Sequence, residues 1–558
     1  MTLTTAPEAL AALAGRHLDL VRAPFTLPSS RVIVFREGDG VRVHTSEYER
    51  SLDQCRVLDA LTVRDAASHA VPITAVLPDR VVFGDDAATL VFAGTEALSL
   101  GAAAPGLSAE WTTPDAQTRL TPLAPAVRID VAPDRSVKVT ASTRHDDDAD
   151  ASRTLWHEWF ARCPLVREDL QEMTAFCWWV LGANVVSLPR LREQLGEVHA
   201  VVPSKIGYVG LWQWDAYFIA AGLRHGAPEL AREQLDLAFG FPSPDGQLPD
   251  VVHEEGVLAT SDDLPRADRD RLRRAGSQIA DPGAPVPLTK PPLAAWALRR
   301  VLEALPRTPE TETWARRHLE TIRRSQDWWF AGSDLDGDGM PEYGHPYSSG
   351  LDDSPIFDGP LPTTAPDLGA YLVRQDLELA RFAEEFGDAD PQPHRERAER
   401  TLAKLLDLWD PETGVFTARA AGERVGTDAI VGLMPLLTGR LPDDVRDTLV
   451  AALDDPSRYG TPWGLPTVAA GDPDFSPERM WRGPVWINTN TLVADGLTAS
   501  GLPGRARELA ERTLALVIHG GGPHEYFHPY TGEKAGTATT AFGWSAALFV
   551  DLAVRLSA

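Results

Sequence analysis

The hydrophobic period of this chain changes near Thr154, and that change constrains its fold more than any other feature. Upstream, apolar residues alternate or run in short β-branched stretches: Arg31-Val32-Ile33-Val34-Phe35, Val41-Arg42-Val43-His44, Val91-Phe92 and Val137-Lys138-Val139. Gly-Asp, Pro-Asp and Ala-Pro turns separate them. Side chains that alternate between faces make half-buried strands, so residues 1–150 read as an antiparallel β-sandwich domain. The charge run Asp146-Asp147-Asp148 reads as solvated linker, and a linker is expected over 151–165. Downstream the period is helical, with twelve candidate segments: 166–186, 212–225, 228–240, 289–305, 308–330, 364–387, 391–409, 427–438, 442–454, 487–501, 504–519 and 539–556. Gly226, Gly240, Gly332, Gly387, Gly439 and Gly520 close segments, and Pro228, Pro391 and Pro442 sit at or near starts. Tight turns alternate with long Gly/Pro/aromatic-rich loops at 187–211, 241–288, 331–363, 410–426, 455–486 and 520–538. Twelve helices make six hairpins. The expected fold is therefore mainly α, with an (α/α)6 barrel domain over 166–558 preceded by the β-sandwich.

Composition narrows the function. A net charge of −27 repels phosphates, which argues against nucleic acid and anionic membranes as partners. No apolar run approaches the ~20 residues of a membrane span. The start, Met1 to Glu8, shows no basic region followed by an apolar core. The three cysteines, Cys55, Cys163 and Cys177, suit neither a disulfide framework nor a zinc site, and read as buried thiols of a reducing cytoplasm. The oligomeric state is left open.

The unusual polar and aromatic clusters fall in the long loops or at the helix starts beside them. Gly207-Tyr208-Val209-Gly210-Leu211-Trp212-Gln213-Trp214-Asp215 opens the second helix, and Gly246-Gln247-Leu248-Pro249-Asp250 follows. Lys290, one of five lysines, precedes Pro291-Pro292 at a helix start. Tyr347-Ser348-Ser349-Gly350-Leu351-Asp352-Asp353-Ser354-Pro355 places two acids on a Gly/Pro/Ser-rich loop. Met480-Trp481-Arg482-Gly483-Pro484-Val485-Trp486 sets an Arg among rings, and His524-Glu525-Tyr526-Phe527 sets an acid among aromatics. Flat apolar rings with single N–H donors suit sugar faces, although each also suits a core. Two acids on different loops suit glycoside hydrolysis, one protonated to release the leaving oxygen and one ionised to activate water. Asp334-Leu335-Asp336-Gly337-Asp338-Gly339 has the oxygen spacing of a calcium loop, with His345 where an EF-hand needs Glu and Glu342 as a substitute ligand. It reads either as a structural Ca2+ site (Asp334, Asp336, Asp338, Glu342) or as a plain acidic turn.

Taken in order, WxWD, Pro-Pro at a helix start, GLDDSP, WRGPVW-x-N, HEYF-x-P-x-TG and Phe542-Gly543-Trp544-Ser545-Ala546 resemble glycoside hydrolase family 63 over roughly 200–556. That family includes processing α-glucosidases and bacterial mannosylglycerate and glucosylglycerate hydrolases, and trehalases share its barrel architecture. The resemblance implies an inverting, exo-acting α-glycoside hydrolase for a small α-glucoside or α-mannoside, with Asp352 as general acid and Glu525 as general base. Asp353 is the rival acid, otherwise a loop-capping carboxylate. By the same resemblance Asp215, Trp214, Arg482 and Trp486 line the sugar pocket. Trp212, Gln247, Lys290 and Tyr526 complete the candidate substrate contacts. Lys290 and Tyr347-Ser348-Ser349 depart from the family pattern and bear on the sugar and leaving group. The other readings are a trehalase-type or phosphorolytic activity on the same barrel, or a non-catalytic carbohydrate-binding protein.

Overall fold

The computed structural model describes residues 6–191, 195–274 and 284–558. Parts of the expected loops 187–211 and 241–288, and the first five residues of the chain start, lie outside the described residues. The chain divides into two compact units, one of Met1–Gly210, His225–Ala227 and Thr539–Ala558, the other of Leu211–Arg224 and Pro228–Ala538.

The first unit carries two large antiparallel sheets. One has five strands in the order Val32–Glu37, Gly40–Thr45, Arg56–Arg64, Ser108–Thr112, Thr118–Pro122. The other has six: Val137–Ser142, Ala126–Val131, Ala97–Ala102, Ala88–Phe92, Val81–Phe83, Ile73–Val76. The β-branched runs read from sequence all fall in these strands. A helix, His145–Phe160, stands where the sequence suggested linker. Asp146, Asp147 and Asp148 occupy its first turn, where carboxylates favour the positive end of the helix dipole. Trp156, Trp159 and Phe160 are buried on its other face. Trp159 and Trp178 each donate their indole N–H to the other's carbonyl, at 2.8 and 2.9 Å. Helix Glu168–Ala183 packs against Gly543–Ser557.

In the second unit buried and amphipathic helices alternate along the chain. Every residue of Gln213–Leu223 and of Ile430–Thr438 is buried, as is most of Pro366–Phe386 and Ile487–Ala499. These pack in succession, Gln213–Leu223 on Ala294–Ala304, then Pro366–Phe386, Ile430–Thr438 and Ile487–Ala499. Each is followed by a helix with one apolar stripe: Pro228–Ala238, Pro309–Gly332, Gln392–Leu406, Asp443–Ala452 and Pro503–His519. All twelve expected segments are helical. The segment at 427–438 winds as a 3-10 helix over Ile430–Thr438, with Pro435 inside it. A helix, Arg266–Arg274, lies within the expected loop 241–288. Only Leu272 of it is buried, and Asp268–Arg271 and Asp270–Arg273 pairs brace it, so no apolar period announced it. Among the described residues no helix is long and apolar enough to cross a membrane, and the three cysteines are free and buried.

Candidate active site

The loop carrying the two acids is tightly built. Residues Pro346–Ser349 form one 3-10 turn. His345 caps it by accepting from the Tyr347 N–H at 3.1 Å, while its other ring nitrogen meets Asp263 at 2.8 Å. Gly350 then adopts φ 71°, and a Cβ there would lie 2.2 Å from the Trp214 ring. Both the backbone angle and the close approach require glycine. The two acids that follow part company. Asp353 accepts from Arg479 Nε at 3.0 Å and from the Trp481 N–H at 2.9 Å, tying the loop to the WRGPVW segment. Asp352 Oδ1 is buried and makes no hydrogen bond.

Three further carboxyls gather around the same point. Asp215 sits in the first turn of Gln213–Leu223 and is 5% exposed. Asp250 is placed beside it by the two-residue ladder of Leu211–Trp212 with Val251–Val252, and its carbonyl accepts the Gln213 N–H at 2.9 Å. Glu525, 4% exposed, is registered to the WRGPVW segment by paired backbone hydrogen bonds of 2.8 and 2.9 Å between Val485 and Phe527. Lys290 is 5% exposed. Its Nζ forms an ion pair with Asp250 at 2.7 Å and donates to the Tyr347 carbonyl at 2.5 Å.

The electrostatics follow from burial. Desolvation raises the Asp352 carboxyl to about 7; Lys290 opposes the rise, while Asp250, Asp353 and Glu525 add to it. Burial also raises Asp215 far above the usual carboxylate range, with Lys290 opposing and Asp250 and Glu525 adding. Asp250 is raised by burial against the pull of Lys290. Burial would lower Lys290, but the charges of Asp250, Asp352 and Asp215 outweigh it and its ammonium is held above its ordinary range. The cluster thus keeps a proton on Asp352 near neutral pH, beside carboxyls that burial makes costly to ionise together.

An aromatic wall connects these groups. The Trp214 ring lies 6.1 Å from Trp481, which stacks on Trp486 at 3.6 Å and 7°. Trp486 meets Tyr526 at 4.8 Å, and Tyr526 Oη pairs with Thr537 at 3.1 Å. Trp214, Trp481 and Trp486 are buried, whereas Trp212 is half-buried. The structure therefore brings Asp352, Glu525, Asp215, Lys290, Trp214, Trp486 and Tyr526 into one neighbourhood. Two further candidates hold other protein groups. Arg482 grips Asp358 through two guanidinium nitrogens, and the Gln247 amide N–H2 donates to the Ala259 and Leu288 carbonyls at 2.8 Å each. Three participants escaped sequence reading: Asp250, the Asp353 anchor Arg479, and Asp358. Only Asp250 carried a signal, at the end of the quoted Gln247 motif.

In the acidic loop, Asp334, Asp336 and Asp338 each present a carboxylate oxygen within 4.8 Å of the others. Backbone N–H groups of Gly339, Asp338 and Met340 orient them at 3.0, 3.1 and 2.8 Å. Asp334 Oδ1 is buried without a hydrogen-bond partner, a hard oxygen suited to a calcium ion. Glu342 instead accepts the Leu335 N–H at 2.7 Å, and burial together with the three aspartates raises its carboxyl to about 8.

Buried acids bordered by stacked tryptophans, on a scaffold of helical hairpins, define a glycoside hydrolase. The mannosylglycerate hydrolase MGH1-like glycoside hydrolase domain matches residues 208–545, and the chain belongs to that family, within the family 63 group. It is 29% identical over 408 residues to a mannosylglycerate hydrolase of Thermus thermophilus, covering 62% of this chain and 95% of that protein. A glucosylglycerate hydrolase of Mycolicibacterium hassiacum is 27% identical over 66% of this chain and 97% of its own. A crystal structure of the family 63 mannosylglycerate hydrolase from T. thermophilus with Tris and D-glycerate aligns at TM-score 0.53 and 26% identity, over 65% of this chain and 97% of that one. A bacterial glucoamylase bound to acarbose aligns over 96% of this chain and 93% of its own, at TM-score 0.54 and 10% identity, a likeness of fold alone.

Proposed function

We propose that this chain is an inverting, exo-acting hydrolase of a small α-glucoside or α-mannoside, with Asp352 as general acid and Glu525 as general base. The observation that carries the reading is Asp352 itself: a carboxyl with a buried, unbonded oxygen, held to about 7, in the same cluster as Glu525. Asp352 gives its proton to the glycosidic oxygen as the bond from that oxygen to the anomeric carbon breaks. Water attacks the opposite face of the sugar and passes a proton to Glu525. The products are the free alcohol and a sugar of inverted anomeric configuration, and proton exchange with solvent resets both acids. Asp215 sits beside them as a sugar-hydroxyl partner, with Trp214, Trp486 and Tyr526 as apolar walls.

The relatives' names put mannosylglycerate and glucosylglycerate first among substrates to try. The proposed scaffold is an (α/α)6 barrel behind an N-terminal β-sandwich. Five buried-then-amphipathic helix pairs in succession in the second unit support that reading. Asp334, Asp336 and Asp338 would hold a structural Ca2+ that stiffens the loop leading to Asp352. Three free buried thiols favour a cytoplasmic location. The test is a panel of α-glucosides and α-mannosides with anomer-resolved product detection, run on the wild type, Asp352→Asn and Glu525→Gln. No turnover on any member would remove the hydrolase reading.

A further inference from the structure

Lys290 stands at a candidate substrate position, but its contacts point elsewhere. The ammonium is 5% exposed, is ion-paired with Asp250 Oδ1 at 2.7 Å and donates to the Tyr347 carbonyl at 2.5 Å. A neighbouring contact, the Thr289 N–H donating to Ser348 Oγ at 3.3 Å, joins the same two segments. Tyr347 and Ser348 belong to the turn that delivers Gly350 onto Trp214, and Asp352 lies two residues beyond. We infer that the Asp250–Lys290 ion pair is a positioning device for Asp352: Lys290 clamps the acid loop through Tyr347 and places a buried positive charge beside the acid. The inference rests on the reading of Asp352 as general acid and gives Lys290 no contact with the reacting atoms.

The charges facing Asp352 come from four elements. Lys290 comes from the start of the fourth expected helix, Asp250 from the end of the Leu248–Asp250 loop, Asp353 from the acid loop itself and Glu525 from the last long loop. Asp215, from Gln213–Leu223, acts on Lys290 in turn. The two partners of the ion pair act on Asp352 with opposite sign. Lys290 favours its ionised form, and Asp250 disfavours it. This opposition separates an electrostatic role from a merely structural one, because either substitution breaks the same ion pair.

The experiment is the pH dependence of kcat/KM for the wild type, Lys290→Met, Asp250→Asn and Lys290→Arg, on the best substrate of the panel. The acid must be protonated, so the wild-type rate falls as pH rises through about 7. Lys290→Met removes the charge that favours ionisation, and its basic limb moves up by about one pH unit. Asp250→Asn removes a repulsive charge and frees Lys290 toward Asp352, and its limb moves down. Lys290→Arg keeps the limb near the wild-type position but loses rate, because a guanidinium does not reproduce the ammonium's contact with Tyr347. Limbs that stay in place, or that move in the same direction in Lys290→Met and Asp250→Asn, overturn the inference. If Lys290→Met does not fold, the downward shift in Asp250→Asn and the retained limb in Lys290→Arg still decide it. An Asp352→Asn control separates the failures. Wild-type rates in that control sink the acid assignment itself, whereas a lost rate with unmoved limbs sinks only the role of the ion pair.

Discussion

Replacing Gly350 by alanine tests the geometry of the acid loop without touching a carboxyl. The residue sits at φ 71°, a left-handed angle that costs a non-glycine residue about 1–2 kcal/mol. The new methyl carbon would start 2.2 Å from the Trp214 ring, where ordinary contact begins at 3.4 Å. Loop and indole must therefore separate by more than ~1 Å, and overpacking of this kind costs about 1–3 kcal/mol. The two costs act at one site, so a destabilisation of about 2–5 kcal/mol is expected, read as a fall of several degrees in Tm. Asp352 lies two residues downstream, and a displacement of ~1 Å at a reacting group lowers rates by about 100-fold. The expected result is a correctly folded protein with kcat/KM down by that order on its best substrate. A Gly350→Ala protein with wild-type melting and activity would refute the packing of this loop on Trp214 as the means of positioning the acid.

Asp353→Ala removes the hydrogen bonds from Trp481 and Arg479 together, a stability loss of about 1–2 kcal/mol with kcat/KM reduced but well above that of Asp352→Asn. Loss of activity equal to Asp352→Asn would instead make Asp353 the acid. For the acidic loop, calcium at 100 times its Kd would add about 2.7 kcal/mol of stability. Treatment with a chelator should therefore lower Tm and added Ca2+ restore it, while an Asp334→Asn/Asp336→Asn double variant ignores both; a Tm indifferent to millimolar Ca2+ rules the ion out.

Much of the helical scaffold was legible in the chain because its signals are local. A buried helix such as Gln213–Leu223 is apolar along its length, and Gly387 and Gly439 adopt left-handed angles as helix-ending residues do. Helices without an apolar period were not legible. Arg266–Arg274 is nearly all charge, and His145–Phe160 begins with three aspartates that resemble a linker until the buried Trp156 and Trp159 are seen. The site divides in the same way. Asp352 and Glu525 announced themselves through aromatic and Gly/Pro-rich surroundings. Their charge partners did not, since a lysine forty residues from its aspartate gives no sign that the two will be buried together. Arg482 gave no sign of its ion pair for a similar reason. Asp358, which it grips, belongs to a different loop, and only the tertiary structure reveals the pairing.

The central claim is that Asp352 and Glu525 form an acid/base pair that inverts an α-glycoside. Time-resolved NMR of the anomeric proton during hydrolysis, on the wild type beside Asp352→Asn and Glu525→Gln, addresses it most directly. The account predicts that the β-anomer of the released sugar appears first and that both variants lose nearly all turnover. Initial release of the α-anomer, or either variant keeping wild-type rates, would contradict it.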